Sequence, residues 1–280
     1  MDSMRIGLYF KKDHQLASSL AKKIIEYLER ENIEVYIEKS LENILSPGPR
    51  TFDLSRDYVD AVVVIGGDGT VIRVLHELGD RDTPIMTIRM GRRGVLLDVS
   101  PIEAFDRLRD LLQGRYVIKE YDRIYAEIRG IKSPPAINEI LLGPSPEHYR
   151  YRVIRFSVYK NDHLIYSLEG DGVIVATPIG SSAYSLAAGG PLIDRSLKAL
   201  VVTPLATTTL WARPVVLPID AVISIHLRED SVPGEIVVDG YQRISVSPGE
   251  RFSIKRYPKP ARIIRFHEDE IVYEEIFSRR

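Results

Sequence analysis

Cysteine is absent from these 280 residues, so neither a disulfide nor a thiol nucleophile is available. Amides are scarce as well: four asparagines and three glutamines stand beside abundant Arg, Glu, Ile and Val. Few heat-labile side chains among 28% charged residues fit a thermophilic source. Charge of one sign is also lacking. A net charge of −1, with basic residues dispersed, offers no field for nucleic acid or an anionic membrane. No apolar run approaches the roughly eighteen residues of a membrane span, and the opening MDSMRIGLYFKKDHQ lacks a signal-peptide core. A cytoplasmic protein is expected. The histidines, at 14, 76, 148, 163, 226 and 267, show no paired metal-ligand spacing. No G-x-S-x-G elbow exists, and Ser181-Ser182 has no evident His partner. No metal ligands are expected from the chain itself.

What is present divides in two. RIGLYF (5–10), IEVYIE (33–38), AVVVIG (61–66) and PIMTIRM (84–90) read as strands. Between them lie helical patterns: residues 13–31, with Leu16, Leu20, Ile24 and Leu28 on one face, and 71–79, stopped by Gly79. A further helix is expected over 101–114, from Pro101 to Gly114. Alternation of this kind predicts an α/β domain with a parallel, Rossmann-like sheet over 1–120. Beyond it come nine short strands with turns between them, YAEIR, VIRFSVYK, HLIYSLE, GVIVAT, ALVVT, AVISIHL, EIVVD, RISVS and RFSIK. They predict an all-β domain over 121–257. Residues 258–280 form a tail expected to pack back on the first domain.

VVVIGGDGTVIRV (62–74) carries the first chemical signal. A fully apolar strand ends in Gly66-Gly67, Asp68, Gly69 and Thr70, and helical periodicity resumes at once. Ligands of α/β sheets bind beyond the carboxyl ends of strands. A glycine-rich turn opening a helix also presents bare amides to phosphate. The spacing is neither G-x-G-x-x-G nor a Walker loop. Asp68 reads either as a helix cap or as a group acting on a ligand. In the second half, DGVIVATPIGSSAYSLAAGGP (171–191) runs from a strand into a small-residue turn and a short helix. Hydroxyls at 181 and 182 and the ring of Tyr184 offer a surface for a purine and its ribose. A tight packing turn is the other reading.

Together these segments resemble a known family. GGDGT is similar to the signature shared by diacylglycerol-type lipid kinases, phosphofructokinase-like enzymes and NAD kinases, and residues 171–191 resemble the second signature of NAD kinases in particular. Asn138-Glu139 in AINEILL, TPLATTTLWARPVVLP (203–218) and VVDGY (237–241) match that family's remaining segments in order and spacing. The resemblance implies transfer of a phosphoryl group from ATP, another nucleoside triphosphate or polyphosphate to the 2′-hydroxyl of NAD's adenosine ribose. A divalent cation, magnesium or manganese, would accompany the donor, and the subunits would form a homodimer or homotetramer. Asp68 would be the catalytic group facing that hydroxyl, as base or as orienting group, with Gly69 beside it. Asn138 and Glu139 would hold ribose hydroxyls and the adenine region, and Asp171 the nicotinamide end. Ser182, Ala183, Tyr184, Ser185, Leu186 and Ala187 would line the adenosine pocket, with weaker contacts at Ala206 and Tyr241. Asn138 also admits the reading of a buried structural amide.

Several positions depart from the family pattern. Arg89, Arg92 and Arg93 surround two glycines after the fourth strand, where they would grip phosphates or form a solvated loop. Arg73 would reach a phosphate or lie exposed. Ile179, Tyr241 and Glu169 replace commoner family residues, and Glu169 removes a basic contact. Two other functions share part of the pattern: a lipid kinase, which has GGDGT but no need of residues 171–191, and a non-catalytic dinucleotide sensor.

Overall fold

The computed structural model describes residues 4–45, 50–91, 94–147 and 153–266. Contacts divide the chain into one unit up to Glu120, rejoined from Ala261, and a second, Tyr121–Pro260. The first contains β1 (Arg5–Phe10), α1 (Gln15–Arg30), β2 (Glu34–Glu38), β3 (Arg50–Phe52), β4 (Ala61–Gly66) and α2 (Asp68–Leu78). After these come β5 (Ile85–Arg89), α3 (Ala104–Leu112) and β6 (Val117–Tyr121). The second unit begins with β7 (Ile124–Ile128), β8 (Ile131–Lys132), β9 (Glu139–Pro144), β10 (Ile154–Lys160), β11 (His163–Gly170) and β12 (Gly172–Ala176). It continues with α4 (Tyr184–Ala187), β13 (Ala199–Leu205), β14 (Val215–Pro218) and β15 (Ile223–Leu227). β16 (Gly234–Val238), β17 (Gln242–Val246) and β18 (Arg251–Arg256) complete it, and β19 (Ala261–Arg265) belongs to the first unit again.

One seven-stranded sheet, ordered β3-β2-β1-β4-β5-β19-β6, organises the first unit. Strands β1 to β5 and β19 pair in parallel. Continuous apolar runs at β1 and β4 are buried along nearly their whole length, as central parallel strands require. The return of β19 brings residues 261–265 into this sheet, while the amphipathic stretch from 267 onward lies outside the described residues.

Helix α1 corrects the expected stripe. Its buried residues are Ala17, Ala21, Ile24, Ile25 and Leu28, whereas Leu16 is 69% exposed and Leu20 only partly covered. Steps of four residues overshoot a full turn by about 40° each, so Leu16 lies about 120° round the helix from Leu28. Helix α2 begins at Asp68, not residue 71, and α3 at Ala104, not Pro101. Residues 101–103 form a turn in which Glu103 Oε1 accepts from the Ser100 amide (2.7 Å). Among the described residues no helix is long and apolar enough to cross a membrane.

Two six-stranded sheets build the second unit, ordered β11-β10-β15-β18-β7-β8 and β14-β13-β12-β9-β16-β17, with antiparallel pairing. All nine expected strands are present. Their inner faces share one core, with Phe156, Val158 and Ile225 from one sheet against Leu142, Val173 and Val175 from the other. The alternate residues Ile174 and Ala176 pack with Val201, Leu205 and Ala188. β12 is therefore apolar at every position, since one face meets the opposing sheet and the other lies under the residues that follow it.

Candidate active site

In the first sheet the chain runs outward from β1 to β3 on one side and through β4 to β5 on the other. The reversal point of an open α/β sheet, at the carboxyl ends of β1 and β4, is where such sheets bind ligands. Asp68 stands there, at the first position of α2. Gly67 is the N-cap, with no side-chain cap bond, so Asp68 does not cap the helix. Its carboxylate crosses instead to a distant loop: the Val95 amide donates to Oδ2 (2.8 Å) and the Leu96 amide to Oδ1 (3.0 Å). A Cβ on Gly94 would lie 2.9 Å from Asp68 Oδ1 and 2.3 Å from the Leu97 side chain, so any side chain there would have to displace one of them. Added at Gly67 or Gly69, a Cβ would meet nothing within 4 Å. Those two positions leave open backbone at the helix start, where phosphate is favoured.

The loop that holds Asp68 is itself fastened. Thr87, fully buried on β5, donates from Oγ1 to the Leu96 carbonyl (3.0 Å) and accepts there from the Asp98 amide (3.0 Å). Backbone bonds join Val99 to Thr87 (3.0 Å) and Arg89 to Val99 (2.9 Å). Asp98 accepts from the Phe266 amide (2.8 Å) and faces the buried guanidinium of Arg265 on β19 at 3.6 Å.

The second unit knits three of its sequence segments together. Asp239 accepts from the amides of Ile137 (2.8 Å), Asn138 (2.8 Å) and Glu139 (3.0 Å), and its own amide donates to the Glu139 carbonyl (3.0 Å). Thr177 donates from its amide to the Asn138 carbonyl (2.9 Å) and from its hydroxyl to the Ile137 carbonyl. The Gly180 amide donates to Thr177 Oγ1 (3.1 Å). A Cβ on Gly180 would sit 2.0 Å from the Asn138 carbonyl oxygen, so the contact requires glycine. Asp239 occupies the left-handed region at φ 48°, which Asp tolerates better than most residues. Glu139 is mostly buried, and its Oε2 has no hydrogen-bond partner. Burial, with the neighbouring charge of Asp239 second, pushes its carboxyl up to about 8. At neutral pH the group is therefore a carboxylic acid, able to donate as well as accept.

In the same unit, Leu141, Gly143, Asp171, Tyr184, Ala187 and Ala206 help line a cavity of about 250 Å³. Four expected site residues, Asp171, Tyr184, Ala187 and Ala206, thus share one space. Ser182 turns its hydroxyl to the Ile179 carbonyl (2.9 Å). Ser185 is fully buried with its hydroxyl on Thr203 Oγ1 (2.8 Å), so it braces α4 rather than facing the cavity. Ala183 and Leu186 are half-buried on the same turn, and Tyr241, half-exposed after β16, is not in the cavity wall. Arg73 pairs along its own helix with Glu77 (2.9 Å), and Glu169 accepts from Arg155 Nε (3.0 Å). Arg89 ends β5, whereas Arg92 and Arg93 lie outside the described residues.

Sequence reading missed Asp239 as the organiser of Asn138-Glu139, although the Asp-Gly pair was in view. It also missed the 94–96 loop and Thr87. A polar residue at the centre of PIMTIRM was the available signal. Among the described residues no three His, Cys, Asp or Glu side chains gather as a metal site.

Comparison with known proteins matches both halves. The family model of the ATP-NAD kinase N-terminal domain covers residues 6–116, and that of the ATP-NAD kinase C-terminal domain covers 137–266. An NAD kinase of Aeropyrum pernix is 34% identical over 98% of this chain and 97% of its own length. One from Thermococcus sibiricus is 33% identical over 95% of each. Among solved structures, yeast NADH kinase complexed with NADH superposes with a TM-score of 0.88 at 19% identity, covering 97% of this chain and 86% of that one. An NAD kinase from Archaeoglobus fulgidus in complex with ATP gives 0.78 at 24% identity, covering 98% of each. At those identities the two structures speak for the fold.

Proposed function

The chain belongs to the ATP-NAD kinase family, and from that premise we propose that it phosphorylates the 2′-hydroxyl of NAD's adenosine ribose with ATP as donor, giving NADP. The observation that carries this reading is the convergence of Asn138-Glu139, Thr177–Gly180 and Asp239 in the same unit as a cavity lined by Asp171, Tyr184, Ala187 and Ala206. The Tyr184 ring and small side chains there suit a planar base, and the neutral Glu139 acid would supply both a donor and an acceptor for ribose or adenine. Asn138, with its backbone fixed at both N–H and C=O, leaves its side-chain amide for the ligand.

Phosphoryl transfer depends on positioning and charge neutralisation more than on covalent chemistry. Asp68 is the group we assign to the acceptor hydroxyl, and it suits that role because two amides fix both carboxylate oxygens. Gly69 lets the reacting groups approach bare backbone. Arg73, already paired with Glu77, would reach a phosphate by exchanging that half-buried partner. The reaction needs a divalent cation, which neutralises phosphate charge when bound. The described residues build no cage for one. We propose that magnesium or manganese travels on the donor's phosphates.

A lipid kinase reading is not favoured, because family similarity extends through the second unit and its NAD-kinase segments. The test is purified protein with NAD, ATP and magnesium. NADP formation supports the reading, and diacylglycerol or sphingosine phosphorylation without NADP would replace it. NAD binding without turnover would establish a sensor. Parallel reactions with polyphosphate and NADH set donor and acceptor range. A homodimer or homotetramer in the cytoplasm completes the proposal, and light scattering on the purified protein measures the assembly.

A further inference from the structure

Thr87 has no place in any of the motifs, yet its hydroxyl bonds the loop whose Val95 and Leu96 amides hold Asp68. A threonine fully buried on a central strand must satisfy its hydroxyl within the protein. Here it does so twice, donating to the Leu96 carbonyl and accepting from the Asp98 amide, each at 3.0 Å. These bonds close the Leu96–Asp98 turn and fix the Leu96–Leu97 peptide, the one that follows the Leu96 amide. The amide of that same Leu96 donates to Asp68 Oδ1 (3.0 Å), and the preceding amide, Val95, donates to Oδ2 (2.8 Å). One hydroxyl therefore anchors the turn next to the two amides, and the two amides hold the carboxylate.

We infer that Thr87 is a positioning residue for phosphoryl transfer, holding the Val95 and Leu96 amides so that Asp68 is aimed at the acceptor hydroxyl. The inference rests on the role assigned to Asp68 above. A misplacement of about 1 Å at a reacting group is enough to cost on the order of a hundredfold in rate. Loss of the Thr87 hydroxyl frees one turn without touching the adenosine cavity, which belongs to the other unit. Its effect should fall on turnover and spare NAD affinity.

Thr87→Val keeps the shape and removes both bonds, whereas Thr87→Ser keeps the hydroxyl. We expect Thr87→Val to lower kcat at least tenfold with KM for NAD within threefold of wild type, and Thr87→Ser to stay within threefold in both. Hydrogen exchange at the Val95 and Leu96 amides should accelerate in Thr87→Val alone. Should that variant not fold, Thr87→Ala, which removes the hydroxyl without adding bulk, is held to the same criteria. A kcat within twofold of wild type in the hydroxyl-free variant overturns the inference, as does an equal fall in Thr87→Ser. Asp68→Asn, assayed in parallel, separates the two layers. If it keeps wild-type kcat, the role of Asp68 fails. If it is inactive while Thr87→Val turns over normally, only the positioning role fails.

Discussion

Replacing Glu139 with glutamine should make the free protein more stable, and increasingly so as pH rises. In the folded state burial and Asp239 push this carboxyl from 4.5 up to about 8. Between those values the folded chain keeps a proton that the unfolded chain releases, so stability falls with rising pH at about 1.4 kcal/mol per unit. The loss is absent below pH 4.5, grows to about 3 kcal/mol by pH 7 and levels off near 5 kcal/mol above pH 8, as an upper bound on a relaxed structure. Glutamine has no proton to lose, and it retains the shape. Its own fit beside the orphaned Oε2 position adds an offset that does not change with pH. Thermal unfolding of both proteins from pH 5 to 9 is the assay. At about 2–4 °C per kcal/mol, the gap in Tm between variant and wild type should widen by roughly 10 °C across that range in favour of glutamine. Curves that run parallel within about 2 °C would refute the argument, because they would mean Glu139 ionises in the folded protein as easily as in the unfolded one.

Other consequences are simpler to test. Asp68→Asn should fold, bind NAD and lose most turnover, and a kcat near wild type would remove Asp68 from the chemistry. Ala187→Leu and Tyr184→Ala, on opposite grounds of filling and emptying the cavity, should each weaken NAD binding at least fivefold by calorimetric titration; unchanged affinity in both would mean the nucleotide binds elsewhere. Gly180→Ala drives a methyl against the Asn138 carbonyl and should cost about 2–4 kcal/mol of stability. Chemical denaturation giving less than about 0.5 kcal/mol would show that the contact yields.

Much of this arrangement was legible because burial on both faces leaves unbroken apolar runs, as in AVVVIG and GVIVA, and strands are read from those runs. The same rule explains a miss. β9, the central strand beside β12, begins inside the Asn138-Glu139 motif, so its polar start masked a buried strand. β3 and β8, of three and two residues, are too short to show any period. In α1 the four-residue spacing was real, but the helix turns slightly faster than that spacing. At the site, residue types announced Asp68 and Tyr184. What they could not announce was non-local: Asp239 reaching back about a hundred positions to three amides, or Thr87 acting on Asp68 through Leu96. Ser185 illustrates the converse, a hydroxyl in a ligand signature spent on Thr203.

The place of β19 has a consequence for biosynthesis. It lies between β5 and β6, whose last residue is Tyr121, yet it is made only when the ribosome reaches Ala261–Arg265. At about 5–20 residues per second, roughly seven to thirty seconds separate the two events. Throughout that interval the nascent chain carries β5 with an unfilled edge, a template for pairing with other chains. The sheet beside which Asp68 stands cannot close until residue 265 has emerged, so a message truncated before codon 261 yields a sticky fragment rather than a working half.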